Sequence, residues 1–457
     1  MPRRLLFVLL ILIIPAYAQE KEDSSVLLQR VLERLDHLEQ QNRQLVQEVT
    51  LLRQQVAAAA GVAQAQAPEP AGDNQKAPPL EQRVAVTEAR TAEQAQTKVE
   101  AAHKYPIQLT GMVLFNAFSN TESRNSYVVN ELGLLPNSYA SGATMRQTLL
   151  GFDFQGPRLP GNGHVNGSLI MDFWSGPSAP GSNWLRLRHA DISLDWTHRS
   201  FTIGQDKPLI SPYAPDSLAE VGVPPLSGAG NLWYWLPQAR YEERVALGSN
   251  SGIRGQLAVL QSGGTAYETA ESQKYTYSEP VKPALEGRVA FWHRIDDKRR
   301  FEVAPGFHVS SIRSAGASVG SRIASLDWLI TPSARLSITG AFFTGQNVAG
   351  LGSLGNGITR SPDGTLRAVH ASGGWTQLAF PLTARLTLNI FSGLEHDKSI
   401  DLRAANIVHN WSYASNLMYH LNSNLVIGLE GLQMRTRSAS GLQGVQNRYD
   451  LAFGYLF

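Results

Sequence analysis

The stretch from Arg448 to Phe457 alternates without a break. Tyr449, Leu451, Phe453, Tyr455 and Phe457 share one parity, and Arg448, Asp450, Ala452 and Gly454 share the other. A period of two is the mark of a β-strand with one apolar and one polar face. Chain ends are ordinarily polar and frayed, so an aromatic ending points to a terminal strand whose large residues meet lipid. Two structures accommodate such a strand: the edge of a soluble sandwich and the closing strand of a barrel.

The rest of the chain separates the two. Hydrophobic residues make up 43% of it, yet past the first twenty residues no apolar run is long enough for a spanning helix. In hydrocarbon every backbone polar group must be paired within the protein, so a membrane chain without spanning helices has the closed barrel left. Forty glycines suit a fold with many turns. A formal net charge of +2 argues against a general nucleic-acid binder. The absence of cysteine excludes disulfides, thiolate metal sites and a cysteine nucleophile.

Residues 1–18 read as a secretory signal: Arg3 and Arg4, then the apolar run Leu5 to Ile14, then Ala16 and Ala18 in cleavage spacing. Residues 19–56 read as a coiled coil. Leu28, Leu35, Asn42, Val49 and Val56 occupy a positions, and Val31, Leu38, Leu45 and Leu52 occupy d positions. Asn42 at an a position is expected to fix register, and the seam leaves dimer and trimer both open. Residues 57–106 form a linker rich in Ala, Gln and Pro, followed by a weakly patterned second helix from Leu80 to His103.

From Ile107 onward the period is two, and about sixteen strands are expected in residues 107–457. Among them are Ile107 to Phe118, Thr144 to Gln155, Trp184 to Trp196, Arg300 to Ser311, Gly316 to Ile330 and Gln446 to Phe457. Their connections alternate long and short, which is how outer-membrane barrels sort extracellular loops from periplasmic turns. A sandwich has no reason to sort loops by length. Two places break the pattern: the link Ser311 to Gly316 is short for its side, and Arg186 to Ala190 changes phase. The expected fold is an all-β transmembrane barrel of about 16 antiparallel strands. An N-terminal α-helical coiled coil is expected on the periplasmic side, where an even strand count also puts both barrel ends.

With the apolar parity against lipid, the other parity lines a wet lumen. Arg186, Arg188, Arg240, Arg244, Arg254 and Arg288 fall on it along neighbouring strands. Guanidinium groups suit carboxylates and phosphates, and rings of arginine or lysine select anions. Lumen acids such as Asp172, Glu242, Glu286, Glu302 and Asp327 are about as numerous, so the arginines have the alternative of stiffening the wall by pairing. The loop Lys207 to Leu236, stiffened by Pro212, Pro224 and Pro225 and carrying Trp233-Tyr234-Trp235, either narrows the pore or packs on a neighbouring subunit. No nucleophile elbow or HExxH pattern is present. His189, His308, His370, His409 and His420 are scattered, and no acids cluster at metal-ligand spacing, so neither enzymatic activity nor a cofactor is expected.

Several short stretches resemble the DcaP-like trimeric outer-membrane porins, distant relatives of the phosphate-selective porins. They are Arg186-Leu187-Arg188-His189-Ala190, Ile203-Gly204-Gln205-Asp206, Leu236-Pro237-Gln238-Ala239-Arg240-Tyr241, Gly373-Gly374-Trp375-Thr376-Gln377 and Asn447 to Phe457. The resemblance implies a homotrimer in the outer membrane, held partly by a periplasmic coiled coil. It also implies passive uptake of small, often dicarboxylic, anions past a constriction that bears arginine. The lysine runs of a dedicated phosphate pore are absent. Phe457 is expected to be the address read by the barrel-insertion machinery. The alternative reading is a structural anchor whose coiled coil tethers the barrel to the cell wall.

Overall fold

The computed structural model describes residues 107–121, 140–175, 183–262, 267–268, 275–276, 279–314, 316–361 and 364–457. The secretory signal, coiled coil and linker expected from the sequence lie outside these residues.

The strands run in chain order around one closed sheet. They are β1 (Ile107–Thr121), β2 in two pieces (Ala140–Thr144 and Leu149–Leu159), β3 (Gly163–Ser175), β4 (Trp184–Asp195), β5 (Arg199–Asp206), β6 (Leu236–Ala246), β7 (Ser251–Leu260) and β8 (Glu279–Arg294). They continue as β9 (Arg300–Ser314), β10 (Ala317–Ser333), β11 (Leu336–Gln346), β12 (His370–Pro381), β13 (Leu386–Asp397), β14 (Ile407–His420), β15 (Leu425–Ser438) and β16 (Gln443–Leu456). Both pieces of β2 pair with β1, one with residues 116–120 and the other with 107–112. The 17 strand segments therefore make sixteen staves. Every pairing is antiparallel, and β16 returns to β1, with Met112 opposite Leu456 and Asn120 opposite Arg448.

The two faces of the wall are inverted relative to a soluble protein. Outward-facing Ile203, Leu429 and Phe453 are 57%, 54% and 46% exposed, whereas inward-facing Glu286, Asp327 and Glu395 are fully buried. Alternation along each strand produces this, and lipid is the solvent that makes it stable. Tyr419, Tyr455 and Phe457 lie outward near the short-turn rim, where amphipathic rings sit at a membrane interface.

Turns at one rim are short: 160–162, 196–198, 247–250, 295–299, 334–335, 382–385 and 421–424. The other rim carries 122–139, 176–183, 207–235, 261–278, 347–369 and 398–406, with two exceptions. Strands β9 and β10 run past the ends expected for them and leave only residues 315–316 between them; β15 and β16 leave 439–442. The phase change in β4 is a β-bulge. Ile170 pairs with His189 and the next residue, Met171, pairs with Leu187, so Arg188 is the extra residue. Leu185 and Leu187 point outward before it and Ile192 after it.

The loop 207–235 turns into the barrel, where its apolar residues Leu209, Ile210, Leu226, Ala229 and Leu232 are buried. It follows the inner wall and is held by side chains of successive strands. The Leu209 amide donates to Glu286 on β8 at 2.6 Å, and the Tyr213 hydroxyl donates to Glu302 on β9 at 3.2 Å. Burial pushes the Tyr213 phenol up to about 12, with Glu302 adding to the effect, so the hydroxyl keeps its proton for this bond. Asp216 and Gln377 on β12 bond twice, at 2.7 and 2.6 Å. Ser217 donates to Glu430 on β15 at 2.6 Å, and Asn116 on β1 donates to the Leu218 carbonyl at 2.7 Å. Gln147, in the break of β2, donates to the Ala219 carbonyl and accepts from the amides of Val221 and Gly222. Arg186 on β4 then reaches the Gly222 carbonyl. From Leu209 to Gly222 the loop has thus met β8, β9, β12, β15, β1, β2 and β4 in turn, nearly a full circuit.

The returning limb lies directly on the wall. Gly230 has φ +95°, and a Cβ there would stand 2.5 Å from the Gly374 nitrogen and 2.6 Å from the Leu394 carbonyl oxygen. Only glycine fits both the conformation and the approach. Gly230→Val is expected to detach this limb without opening the barrel, at a cost of about 1–3 kcal/mol. Limited proteolysis of the folded protein should then cut within 207–235, where the unaltered loop resists.

Closure depends on Phe457. It exchanges backbone hydrogen bonds with Gly111 at 3.1 and 3.2 Å, and its ring would lie 2.8 Å from a Cβ at Gly111. Deleting Phe457, or changing Gly111 to Val, removes or blocks this last rung. Either change should sharply reduce the yield of barrel that keeps its folded migration in unheated detergent electrophoresis.

Candidate functional site

The six lumen arginines singled out in the sequence all face inward, but they form two groups of different character. Arg244 pairs with Glu242 at 2.6 Å. Arg254 pairs with Glu302, and Arg288 pairs with both Glu302 (2.9 Å) and Asp327 (2.6 and 2.8 Å). Gln256 links the two sets, donating to Glu242 at 2.7 Å and accepting from Arg288 at 2.9 Å. Three arginines thus meet three carboxylates in one bonded lattice on β6 to β10. This is the wall-stiffening arrangement, with little charge left over.

Arg186, Arg188 and Arg240 belong to a second group, on β4 and β6 beside the two ends of the loop. Arg186 holds Asp172 with two bonds, at 3.1 and 2.5 Å. Arg188 Nη1 lies 3.6 Å from the same carboxylate and makes no hydrogen bond. The bulge is what brings Arg186, Arg188 and His189 together on the lumen side. Both guanidinium groups lie over the Trp235 ring, 5.3 and 4.6 Å from its centre. Such stacking holds a cation in place without neutralising it. Arg240 bonds Asp206 at 3.0 Å, and His189 bridges Asp206 (3.2 Å) and Asp191 (3.1 Å).

Two cations of this group are not apparent in the strand pattern. Lys207 opens the loop; burial pushes its ammonium down to about 8, with nearby Arg188 lowering it and Asp206 and Asp216 raising it. Arg146, in the break of β2, donates to the carbonyls of Phe173, Trp174 and Ser175 and stacks on Trp174 at 5.3 Å. The signal for Lys207 was its place after Gly204-Gln205-Asp206; for Arg146, none precedes knowledge that β2 breaks there. Gln238 fixes the base of the loop, donating to the carbonyls of Asp206 (2.9 Å) and Lys207 (2.8 Å).

Nearer the short-turn rim, Gln108, Asp153, Asn166, Asp191 and Ser193 line a polar recess of about 380 Å³. Among the described residues no three His, Asp or Glu side chains are placed to hold a metal ion. His308 is bonded to Glu286 at 2.9 Å and His370 to Asp401 at 2.8 Å, each serving the wall or a loop.

No family model and no curated protein matches the chain. Among solved structures, the outer membrane channel DcaP of Acinetobacter baumannii matches with a TM-score of 0.62 at 16% identity, over 77% of this chain and 97% of that one. The trimer form of OmpT, an outer membrane protein of Vibrio cholerae, matches with a TM-score of 0.47 at 9% identity, over 77% of this chain and 99% of that one. The sixteen staves and the first of these likenesses show a DcaP-like, porin-type fold.

Proposed function

We propose that the protein is an outer-membrane diffusion channel for small hydrophilic solutes, with preference for anions such as carboxylates. The observation that carries the preference is the sharing of Asp172 by Arg186 and Arg188. With Lys207 and Arg146 beside them, cations outnumber acids among the described residues on the wall facing the ends of the inward loop. A carboxylate passing there finds guanidinium donors already oriented by Trp235, which offsets part of its dehydration. The lattice around Arg254 and Arg288 supports the wall and contributes less to selection. Residues 1–18 direct export, and residues 19–56 form a periplasmic coiled coil that helps hold a homotrimer.

In planar bilayers under a salt gradient, the reversal potential is expected to report anion preference. Changing Arg186, Arg188 and Arg240 together to Ala should lower the anion-to-cation permeability ratio about tenfold, and Arg254→Ala by much less. Unchanged selectivity in the triple variant would remove the cationic wall from the mechanism, and a protein with no conductance would favour the structural anchor.

Selectivity should also depend on pH. The Lys207 ammonium is charged below about 8 and loses its proton above it. Raising the pH from 7 to 9 removes one positive charge, so anion preference should fall about twofold. In Lys207→Gln the ratio should be lower at pH 7 and change less between the two pH values.

A further inference from the structure

The outward face of the barrel carries a second set of cations, and they differ from those in the lumen. At the long-loop ends of β9 to β15, Arg313, Arg322, Lys398, Arg435 and Arg437 point away from the lumen and are exposed. None of the five takes part in an ion pair among the described residues. Arg435 bonds the Gln433 side chain at 2.9 Å and lies over Trp411. His396 and His409 sit side by side among them, ring centres 6.1 Å apart.

Register makes these residues one patch. Arg322 is opposite Gln346, which is opposite His370. In the adjoining row Ser372 is opposite His396, His396 opposite His409, and His409 opposite Arg437. Between the rows lies an open cleft of about 410 Å³, lined by Arg322, Thr344, Gln346, His370, His396 and Lys398. Immediately toward the membrane centre the same parity is apolar: Leu326, Phe342, Ile390, Leu394 and Trp411 are all outward and exposed. Among the described residues the only acid bonded within the patch is Asp401, on His370.

Unpaired arginines cannot sit in hydrocarbon, so the patch marks where the apolar zone ends and headgroups begin. A basic surface at headgroup level, with alkyl stems lying on apolar wall, matches an anionic lipid in both its parts. The planar guanidinium groups favour phosphate oxygens over a diffuse negative surface. We propose that the cleft between β10 and β13, with Arg437 at its edge, binds the phosphate groups of a phosphorylated lipid in the outer leaflet. The acyl chains would lie along Leu326, Phe342 and Leu394. The inference rests on the outer-membrane placement of the barrel and is independent of what the lumen conducts.

The test uses the purified full-length protein in detergent and a fluorescent bisphosphorylated lipid A. Saturable binding is expected, and the same lipid stripped of its phosphates should bind at least about tenfold more weakly. The R322Q/K398Q/R437Q variant should lose about tenfold in affinity while keeping its folded electrophoretic migration and its conductance. The single changes R322Q and K398Q carry the same test, with losses of about threefold each. Equal binding of the phosphate-free lipid to the unaltered protein would overturn the proposal without any variant. Full displacement by millimolar inorganic phosphate would also overturn it, in favour of a free anion. Loss of oligomer in the triple variant, with lipid binding intact, would assign the patch to contact with a second copy. Loss of conductance alone would touch the channel reading and leave this one standing.

Discussion

Everything in this structure depends on closing a ladder of backbone hydrogen bonds in a medium that offers no others. An open edge in hydrocarbon leaves N–H and C=O groups unpaired at several kcal/mol each. The sheet therefore returns on itself, and β16 lies against β1 from Met112 to Thr121. Even the break in β2 respects the rule. Where Met145 to Thr148 leave the ladder, the Leu114 amide is satisfied by the Thr148 hydroxyl at 3.1 Å, and Arg146 takes up the carbonyls of Phe173, Trp174 and Ser175. The terminal alternation matters for the same reason: it supplies the one strand that must find its partner at the far end of the barrel sequence.

A closed wall with lipid outside obliges the interior to hold the polar groups, and the interior then needs partners for them. The inward loop meets that need. Its backbone, which would otherwise be unsatisfied when buried, is bonded by Glu286, Gln377, Gln147, Asn116 and Asn416 from the wall. The wall side chains are satisfied in return. Apolar loop residues fill the remaining gaps, Leu226 and Ala229 packing with Trp375 and Phe391. The loop is thus part of the barrel's core, and it brings Trp235 and Lys207 to the lumen arginines.

The sequence makes the strands, their parity and the sorting of their connections legible, because these follow from local periods and from length. The phase change near Arg188 was visible too, since a bulge shifts alternation by one residue. The inward course of residues 207–235 was not visible. It is determined by Gln147, Gln377 and Glu430, which are 60 or more positions away from the loop residues they hold and carry no local mark. Nor was the division of the arginines. Arg188 and Arg288 look alike in their strands, and only cross-strand register puts one beside a shared Asp172 and the other beside Glu302 and Asp327. Three of the stretches that carry the family resemblance gain a physical reason here. Gly374 receives Gly230, Gln377 holds Asp216, Gln238 fixes the loop base and Arg186 holds Gly222.

The two populations of arginine show how environment decides what a cation is for. In the confined lumen, leaving a guanidinium unpaired is costly, so most have carboxylates. Arg188 has only a share in one, Asp172, which Arg186 holds more closely, and Trp235 stacks on it. On the outward rim, Arg322 and Arg437 make no ion pair among the described residues and are exposed instead. Moving such a charge down the outward face to the bilayer midplane would cost about 2–4 kcal/mol. The boundary between Arg322 and Leu326 on β10, or Lys398 and Leu394 after β13, is therefore a physical record of where the apolar zone stops. The same alternation that identifies the strands sets which cations face solute and which face the membrane surface.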